Sequence, residues 1–587
     1  MDIHAPLKFK SGINPEPDET KQNTRHIIAG NNIRFYRGGV QKIGGNAKEQ
    51  VNQTASGYTR SLFSLEIGNN KWQIIGTHSK LYAKLGATVT NITPLQTTST
   101  AIANSIDTTD TLNTIVVDAT AHGMAAGDRV KISGAADVGG FTANTHINKE
   151  HIITSVTTDT FTLTLGTVAT STVANGGGAS TVFFKEILAG EISARAASGP
   201  WIGIPWSTTP PWAAGTDASL IVQPRIWWND AYGDTWVGGP GQGGKCYQWL
   251  GNTDTAPTVI SNAPNADWGW IEDAKLVTLL NNTVANSKAG DLTAWTPAAD
   301  SAAYSDAKED AIELISQSQS GGENLIYAKE SKIFRMRYVG GTVKWVWELV
   351  SDTIGIVSPY GRIVIGGIHY IFGKDNFYYY NGGIFSPLPN NTLLQYVFDD
   401  INLAQGYKFF TSYNQQYNEV HFHYCSAASD EPDRRVIFSI SEGHWSIANI
   451  TRSASDTSGK IFDYDILAHP TLGTYQHETG VNDDTSAMNS YVQVNFETIQ
   501  NGKYETFISG MEPDLILEGN MTIALLGKDR ARETETTLAT FTVTESTTII
   551  ECEHEARWRS WKFTSNELGG DFRLGGMREI IQRGGEF

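Results

Sequence analysis

Gly239-Pro-Gly-Gln-Gly-Gly-Lys245 fits both G-x-x-x-x-G-K and G-x-G-x-x-G, the glycine-rich patterns that cradle phosphates. A working P-loop also needs Ser or Thr after the lysine to reach magnesium, and a helix whose N-terminal amides face the phosphate. Here Cys246 follows and Tyr247-Gln-Trp249 continues as a strand, so a hairpin loop is the expected structure. His421, His423 and Cys425 alternate along one predicted strand, which turns all three side chains to the same face, and imidazole with thiolate suits zinc. The competing reading pairs the histidines across a sheet and leaves Cys425 as a small core residue. Asp399 and Asp400 could form an acid/base couple, but neighbours on a strand point to opposite faces and neighbours on a helix diverge by about 100°. Solvated carboxylates are therefore expected there.

The run Ser439-Ile-Ser-Glu-Gly-His-Trp445 departs from the S-x-D-x-G-x-x-W turn of sialidase-type propellers: Ser441 stands in place of Asp and the Trp comes one residue early. It reads as a turn with a packing tryptophan. There is no H-E-x-x-H, no serine nucleophile elbow and no kinase glycine loop. The expectation is a protein without catalytic residues, metal or cofactor.

Composition narrows the class further. With 44 basic and 62 acidic residues the net charge is −18, which disfavours a general grip on nucleic acid or on an anionic membrane. The three cysteines, Cys246, Cys425 and Cys552, lie far apart, which argues against a disulfide framework and fits a reducing compartment. Neither a signal peptide nor a membrane span is expected, since Ile363 to Phe372, the longest apolar stretch, is broken by Gly366, Gly367 and His369.

The elements that would position any site follow from a repeated hairpin. Trp72 to Lys84, Leu325 to Arg337 and Ile368 to Tyr380 each run strand, polar turn, strand, with a small residue (Gly76, Ala328, Gly373) before the turn. Looser copies lie at Leu276 to Trp295 and Val420 to Phe438. Turn centres near Asn281, Glu330, Asp375 and Asp430 are 49, 45 and 55 residues apart, close to the roughly 40 to 50 residues of a propeller blade. Helical periodicity is scarce, and the best candidate is Ser305 to Ser316 with Ser305 as N-cap.

The expected class is all-β: a β-propeller with an inserted small β-domain and a C-terminal β-sandwich-like domain. Residues 1–96 read as an N-terminal segment and first blade, and 97–181 as the insert, rich in Thr, Ala, Val and Gly. The blade pattern is expected to resume at Val182 to Lys185 and to continue to residue 452. Within that stretch Trp201 to Trp212 is a proline-broken aromatic loop, followed by a predicted strand at Leu220 to Trp228. Residues 453–587 read as a polar connector, Ser453 to Ser486, and a small sandwich with strands at Met521 to Leu526, Thr540 to Val543 and Trp558 to Phe563.

Four blocks, in this order along the chain, resemble tail nozzle proteins of short-tailed bacteriophages, also called tail hub or packaged-DNA stabilisation proteins. They are Asn32 to Gly44 (NIRFYRGGVQKIG), Trp228 to Asp234 with Cys246 to Trp249, Thr353 to Pro359 (TIGIVSP), and Arg557 to Arg583 with Phe572-Arg-Leu-Gly575. The insert separately resembles a small β-module of phage structural proteins through His122-Gly, Gly127-Asp-Arg-Val130 and Thr157-Thr-Asp-Thr-Phe161. The resemblance implies a homo-hexameric ring below the portal and its adaptor, the head-to-tail connector, with a closed channel that holds the genome and later conducts it. It implies contacts with fibre, spike or needle proteins, transient contact with viral double-stranded DNA, assembly in the host cytoplasm and residence in the virion tail. It assigns no channel residue. Arg34, Arg37 and Lys42 are candidates for binding an acidic neighbour or DNA, against a plain solvated edge. The alternative is a carbohydrate-binding, receptor-recognition β-propeller.

Overall fold

The computed structural model describes residues 3–8, 10–15, 26–49, 55–178, 181–187, 189–198, 216–298, 302–306, 313–329, 331–340, 344–456, 461–499 and 502–586. The chain divides into two compact units, residues 1–52, 193–223 and 308–587, and residues 53–192 with 224–307.

The second unit holds three antiparallel four-stranded sheets, each joined strand to next strand. Blade 1 is Thr59–Ile67, Asn70–Thr77, Leu81–Leu85 and Thr88–Asn91. Blade 2 begins with Trp228–Tyr232 and Thr235–Gly239, and blade 3 with Trp268–Glu272 and Lys275–Leu280. The first strand of blade 2 lies against the first strands of both others, the radial contact of propeller blades. Alternation sends Trp72, Ile74, Trp227, Trp236 and Trp249 into one buried core, where Trp72 meets Trp249 edge to face at 5.1 Å. That core explains the small residue of the hairpin repeat: a Cβ on Gly76 would lie 2.7 Å from the Trp227 ring.

The insert is an eight-stranded sheet in the same unit, with its own core around Phe141, Phe161 and Leu163. Its predicted strands Thr114–Asp118 and Arg129–Ser133 form as expected. Strand Thr181–Glu186, however, does not restart the blades. It pairs with Leu95–Ile102 and with Arg129–Ser133, so the module extends to residues 95 and 186.

The first unit holds four more sheets of the same design. Blades 4, 5 and 6 open with Leu314–Ser320, Arg362–Ile365 and Phe410–Asn414. Blade 7 consists of Ala454–Ser455, Ile466–His469 and Gly473–His477, completed by Asn46–Lys48 from the other end of the sequence. Ser453 to Ser486 is thus blade and not connector; its strands are short, and the fourth is supplied from 400 residues upstream, beyond any local pattern. First strands again lie side by side along blades 4 to 7. The class is therefore an all-β propeller, with seven four-stranded sheets among the described residues.

Two six-stranded sheets make the sandwich, and both draw on the N-terminal segment. Ile3–Lys8, Ile33–Tyr36 and Gly39–Lys42 join the sheet of Tyr504–Glu518, Ile550–Ala556 and Asp571–Glu586; Lys10–Ile13 and His26–Asn31 join that of Ser490–Val494, Met521–Lys528, Thr536–Val543 and Trp558–Ser565. Its core is continuous with that of blades 5 and 6, where Phe372, Phe377, Phe422 and Trp445 pack ring against ring. Each such ring removed from water contributes about 1.5–3 kcal/mol.

Three local expectations change. In place of a helix over Ser305 to Ser316, Ala303–Asp306 closes blade 3 and Leu314–Ser320 opens blade 4; residues 307–312 lie outside those described. So short a helix gains little from propensity alone, and two sheets offer it partners. The strand expected at Leu220 to Trp228 is divided, Thr216–Val222 pairing with Arg195–Ser198 while Trp228 begins blade 2. Pro224 lies between, unable to donate to a ladder. The aromatic loop Trp201 to Trp212 lies outside the described residues. Among those described, no helix is long and apolar enough to cross a membrane.

The closing strand of blade 7 is held by backbone hydrogen bonds from Asn46 to Asn482 (2.8 Å) and from Glu49 to Thr474 (3.0 Å). A Cβ on Gly45 would lie 2.4 Å from the Asn482 carbonyl oxygen. Gly45→Ala is expected to destabilise the protein by about 1–3 kcal/mol and to speed amide exchange across 473–477. An unchanged denaturation midpoint and exchange pattern would count against this role for the closing strand.

Candidate functional site

Strand Glu419–Tyr424 of blade 6 alternates Glu419, His421 and His423 with Val420, Phe422 and Tyr424. The apolar set enters the core and the ionisable set faces the other way, yet all six residues are buried. Arg34, 1% exposed, reaches Glu419 with Nε to Oε1 and Nη2 to Oε2, both 3.0 Å. Its other edge donates to Glu478 at 2.8 and 2.6 Å, and its plane lies 3.5 Å from the centre of the Tyr417 ring. Glu478 also accepts the Gly44 amide and the Asn414 side chain. One guanidinium thus joins a sandwich strand, blade 6 and the end of blade 7 through two bidentate pairs.

Burial works against a charged Glu419, and Arg34 together with the His421 hydrogen bond more than offsets it, holding the carboxyl down at about 2. Glu478 is held below the usual carboxylate range by the same guanidinium, again against burial. Arg435, fully buried, donates to His421 Nδ1 at 3.3 Å, so the proton of that ring sits on Nε2, facing Glu419 at 3.2 Å. Arg452 donates to His477 Nε2 at 3.0 Å. Rings that accept from arginine cannot also be imidazolium. Burial first, and then the arginines, hold His421, His423 and His477 below their usual range, well below for the last two.

Beside this network the first strands of blades 4 to 7 line a cleft of about 440 Å³. Its walls include Gln317, Tyr360, Arg362, Ser412, Tyr413, Asp456, Phe462, Tyr464 and Asp465. The Ser412 hydroxyl lies 3.0 Å from Nε2 of His423, on the same strand as Glu419, and His423 stacks on Phe410 at 4.2 Å. Other wall groups are fixed from behind: the Gln317 amide donates to Asn324 (2.7 Å), the Tyr413 hydroxyl to Asn418 (3.0 Å) and the Ser455 hydroxyl to the Thr411 carbonyl (3.1 Å).

The residues singled out by spacing fall as follows. In Gly239 to Lys245 the Gly243 amide donates to Asp267 at 2.6 Å, and strand Tyr247–Trp249 follows with Cys246 buried. His421 and His423 share a face at 6.3 Å between rings, while Cys425 lies in the apolar core. Among the described residues no three His, Cys, Asp or Glu groups are placed to hold a metal ion. Asp399 and Asp400 end the short helix Leu394–Asp400; Asp399 is exposed and Asp400 pairs with Arg434 at 2.8 Å. Trp445 packs on Phe377 and Phe438. Of the basic trio only Arg37 is exposed: Arg34 is locked between carboxylates, and Lys42, 4% exposed, donates to the Gly570 carbonyl. For those two, both the external contact and the solvated edge give way to internal bonds. Nothing in the local sequence marks Glu478, Arg435, Arg452 or His477 as members of the site. Their partner strand does carry a signal, an ionisable residue at every second position from Glu419 to His423.

No family model and no curated protein matches the chain. Among solved structures it is similar to the β-propeller domain of Cps50 (Swd1) of Myceliophteria thermophila, at TM-score 0.27 and 10% identity over 43% of this chain and 83% of that one. It is similar to BamB of Moraxella catarrhalis at 0.25 and 10%, over 45% and 89%. Phage phi92 endosialidase gives 0.18 and 14%, over 71% and 57%. These likenesses are of fold alone.

Two outcomes follow from the network. Removing Arg34 takes the paired cation from two buried carboxylates, so Arg34→Met is expected to cost about 3–5 kcal/mol in urea denaturation, with Arg34→Lys little better because an ammonium cannot serve two bidentate partners. Acid weakens the same region. Below 6.5, the ordinary histidine value, the unfolded chain takes up protons that buried His421, His423 and His477 refuse, so stability falls by about 1.4 kcal/mol per pH unit for each. The carboxylate pairs are lost only lower, as pH falls from about 4.5 towards 2. A thermal midpoint that does not move between pH 7.5 and 5.0 would contradict this.

Proposed function

We propose that the chain is a non-enzymatic structural protein of the tail of a short-tailed bacteriophage, a nozzle or hub subunit. In this reading six copies form a ring below the portal and adaptor, meet fibre, spike or needle proteins, retain the packaged genome and conduct it at ejection. Assembly takes place in the bacterial cytoplasm and the product resides in the virion tail.

The observation that carries the reading is where the family-like blocks fall. Asn32 to Gly44 contains Arg34 and leads into the closing strand of blade 7, and Trp228 to Trp249 supplies three strands of blade 2. Thr353 to Pro359 links blades 4 and 5, and Arg557 to Arg583 forms two sandwich strands. The resemblance thus lies on framework and closure, as a part that resists force requires. Charge supports it as well. DNA carries one negative charge per about 1.7 Å of axis, so an acidic or mixed lining, in keeping with −18 per subunit, repels phosphate weakly and lowers friction.

Native mass spectrometry and electron microscopy of the purified chain, alone and with portal and adaptor, test the reading. A six-subunit ring that forms on the adaptor is expected. A chain that stays off the adaptor, or a ring whose channel is lined by lysine, would overturn it.

A further inference from the structure

The cleft along blades 4 to 7 is not needed by a framework protein, and its chemistry is selective. Phe462 and Tyr464 stack on one another at 5.9 Å between centroids with an interplanar angle of 27°, a paired aromatic element in the lining. Tyr360 and Tyr413 add two more rings to the lining, and Asp456 and Asp465 add two carboxylates. Among the described lining residues Arg362 is the one cation, so these residues together carry a formal charge of about −1.

From these groups we propose that the cleft binds a neutral oligosaccharide. A pyranose ring offers an apolar C–H face to an aromatic platform and a rim of hydroxyls to carboxylates and amides. The lining supplies both: aromatic rings from Phe462, Tyr464, Tyr360 and Tyr413, and strong acceptors from Asp456 and Asp465, with Gln317 in the same lining. The volume of about 440 Å³ lies within the ~300–1,000 Å³ usual for small-ligand sites. The rear hydrogen bonds of Gln317, Ser412, Tyr413 and Ser455 hold the walls before any ligand arrives, which lowers the ordering cost of binding.

The charge sets the class. Among the described lining residues a phosphorylated or sialylated ligand would meet two carboxylates against one guanidinium. Single-stranded nucleic acid requires a basic groove alongside its stacking rings. A neutral glycan avoids both conflicts, and the tyrosines serve as un-ionised partners: burial pushes the Tyr464 hydroxyl up to about 12. The inference stands on the cleft alone and holds whether or not the chain assembles into a ring.

The test is calorimetry and saturation-transfer NMR of the full chain with maltohexaose, chitotetraose and mannotetraose, and with tetrasialic acid as the charged probe. Binding of at least one neutral probe is expected, weakened about tenfold by Phe462→Ala and by Asp456→Asn, with thermal midpoints near that of the parent chain. Asp456→Asn keeps the shape of the side chain, so its loss of binding is readable even if Phe462→Ala folds poorly. The inference is overturned if none of the three neutral probes binds, if both variants bind as the parent does, or if tetrasialic acid binds more tightly than the neutral probes.

Discussion

A single guanidinium holds together parts of the first unit that share no local sequence. Arg34 comes from a sandwich strand, Glu419 from the second strand of blade 6, and Glu478 from the residue after the last strand of blade 7. Moving three such charges out of water costs several kcal/mol per ion, and this is recovered only if the geometry is excellent and the remaining lone pairs are used. Both conditions hold: Arg34 makes four hydrogen bonds and lies over Tyr417, while Glu478 takes two further donors. Misplacing any of the three strands strands a charge in the interior. The arrangement therefore selects one register of sandwich on propeller more sharply than apolar packing would.

The surrounding histidines extend that selectivity. Ring nitrogens that accept from Arg435 and Arg452 leave no room for imidazolium, so this face of blade 6 carries its positive charge on arginine alone. Neutral His423 can then stack flat on Phe410 and hold the cleft wall through Ser412. Cleft wall and lock share the strand Glu419–Tyr424, on which His423 meets Ser412 and His421 meets Glu419.

Much of the fold was legible because blades are local. Hairpins such as Trp72 to Lys84 carry their alternation, turn and small residue within 13 residues, and the structure forms strands there. What escaped was distributed. Blade 7 has strands of two to five residues and a partner from residues 46–48, and the sandwich interleaves both ends of the chain. Val182 to Lys185 reads as a blade strand by pattern, and only its pairing with Leu95–Ile102 places it in the insert. The site was harder still. Arg34 stands in a run with Arg37 and Lys42 that reads as a basic surface, and nothing local reveals that carboxylates 385 and 444 residues away claim it.

The strand pairings also bear on how the chain is made. Ile3–Lys8, His26–Asn31, Gly39–Lys42 and Asn46–Lys48 are synthesised well before the strands between residues 473 and 586 with which each of them pairs. At about 5–20 residues per second, some 20 to 90 s separate the synthesis of the closing strand from that of its partner. Throughout that interval the N-terminal segment carries open strand edges, which invite pairing with another nascent chain. Closure of the first unit waits on synthesis of residues 473–586, and any factor that shields those edges acts before the last blade can close.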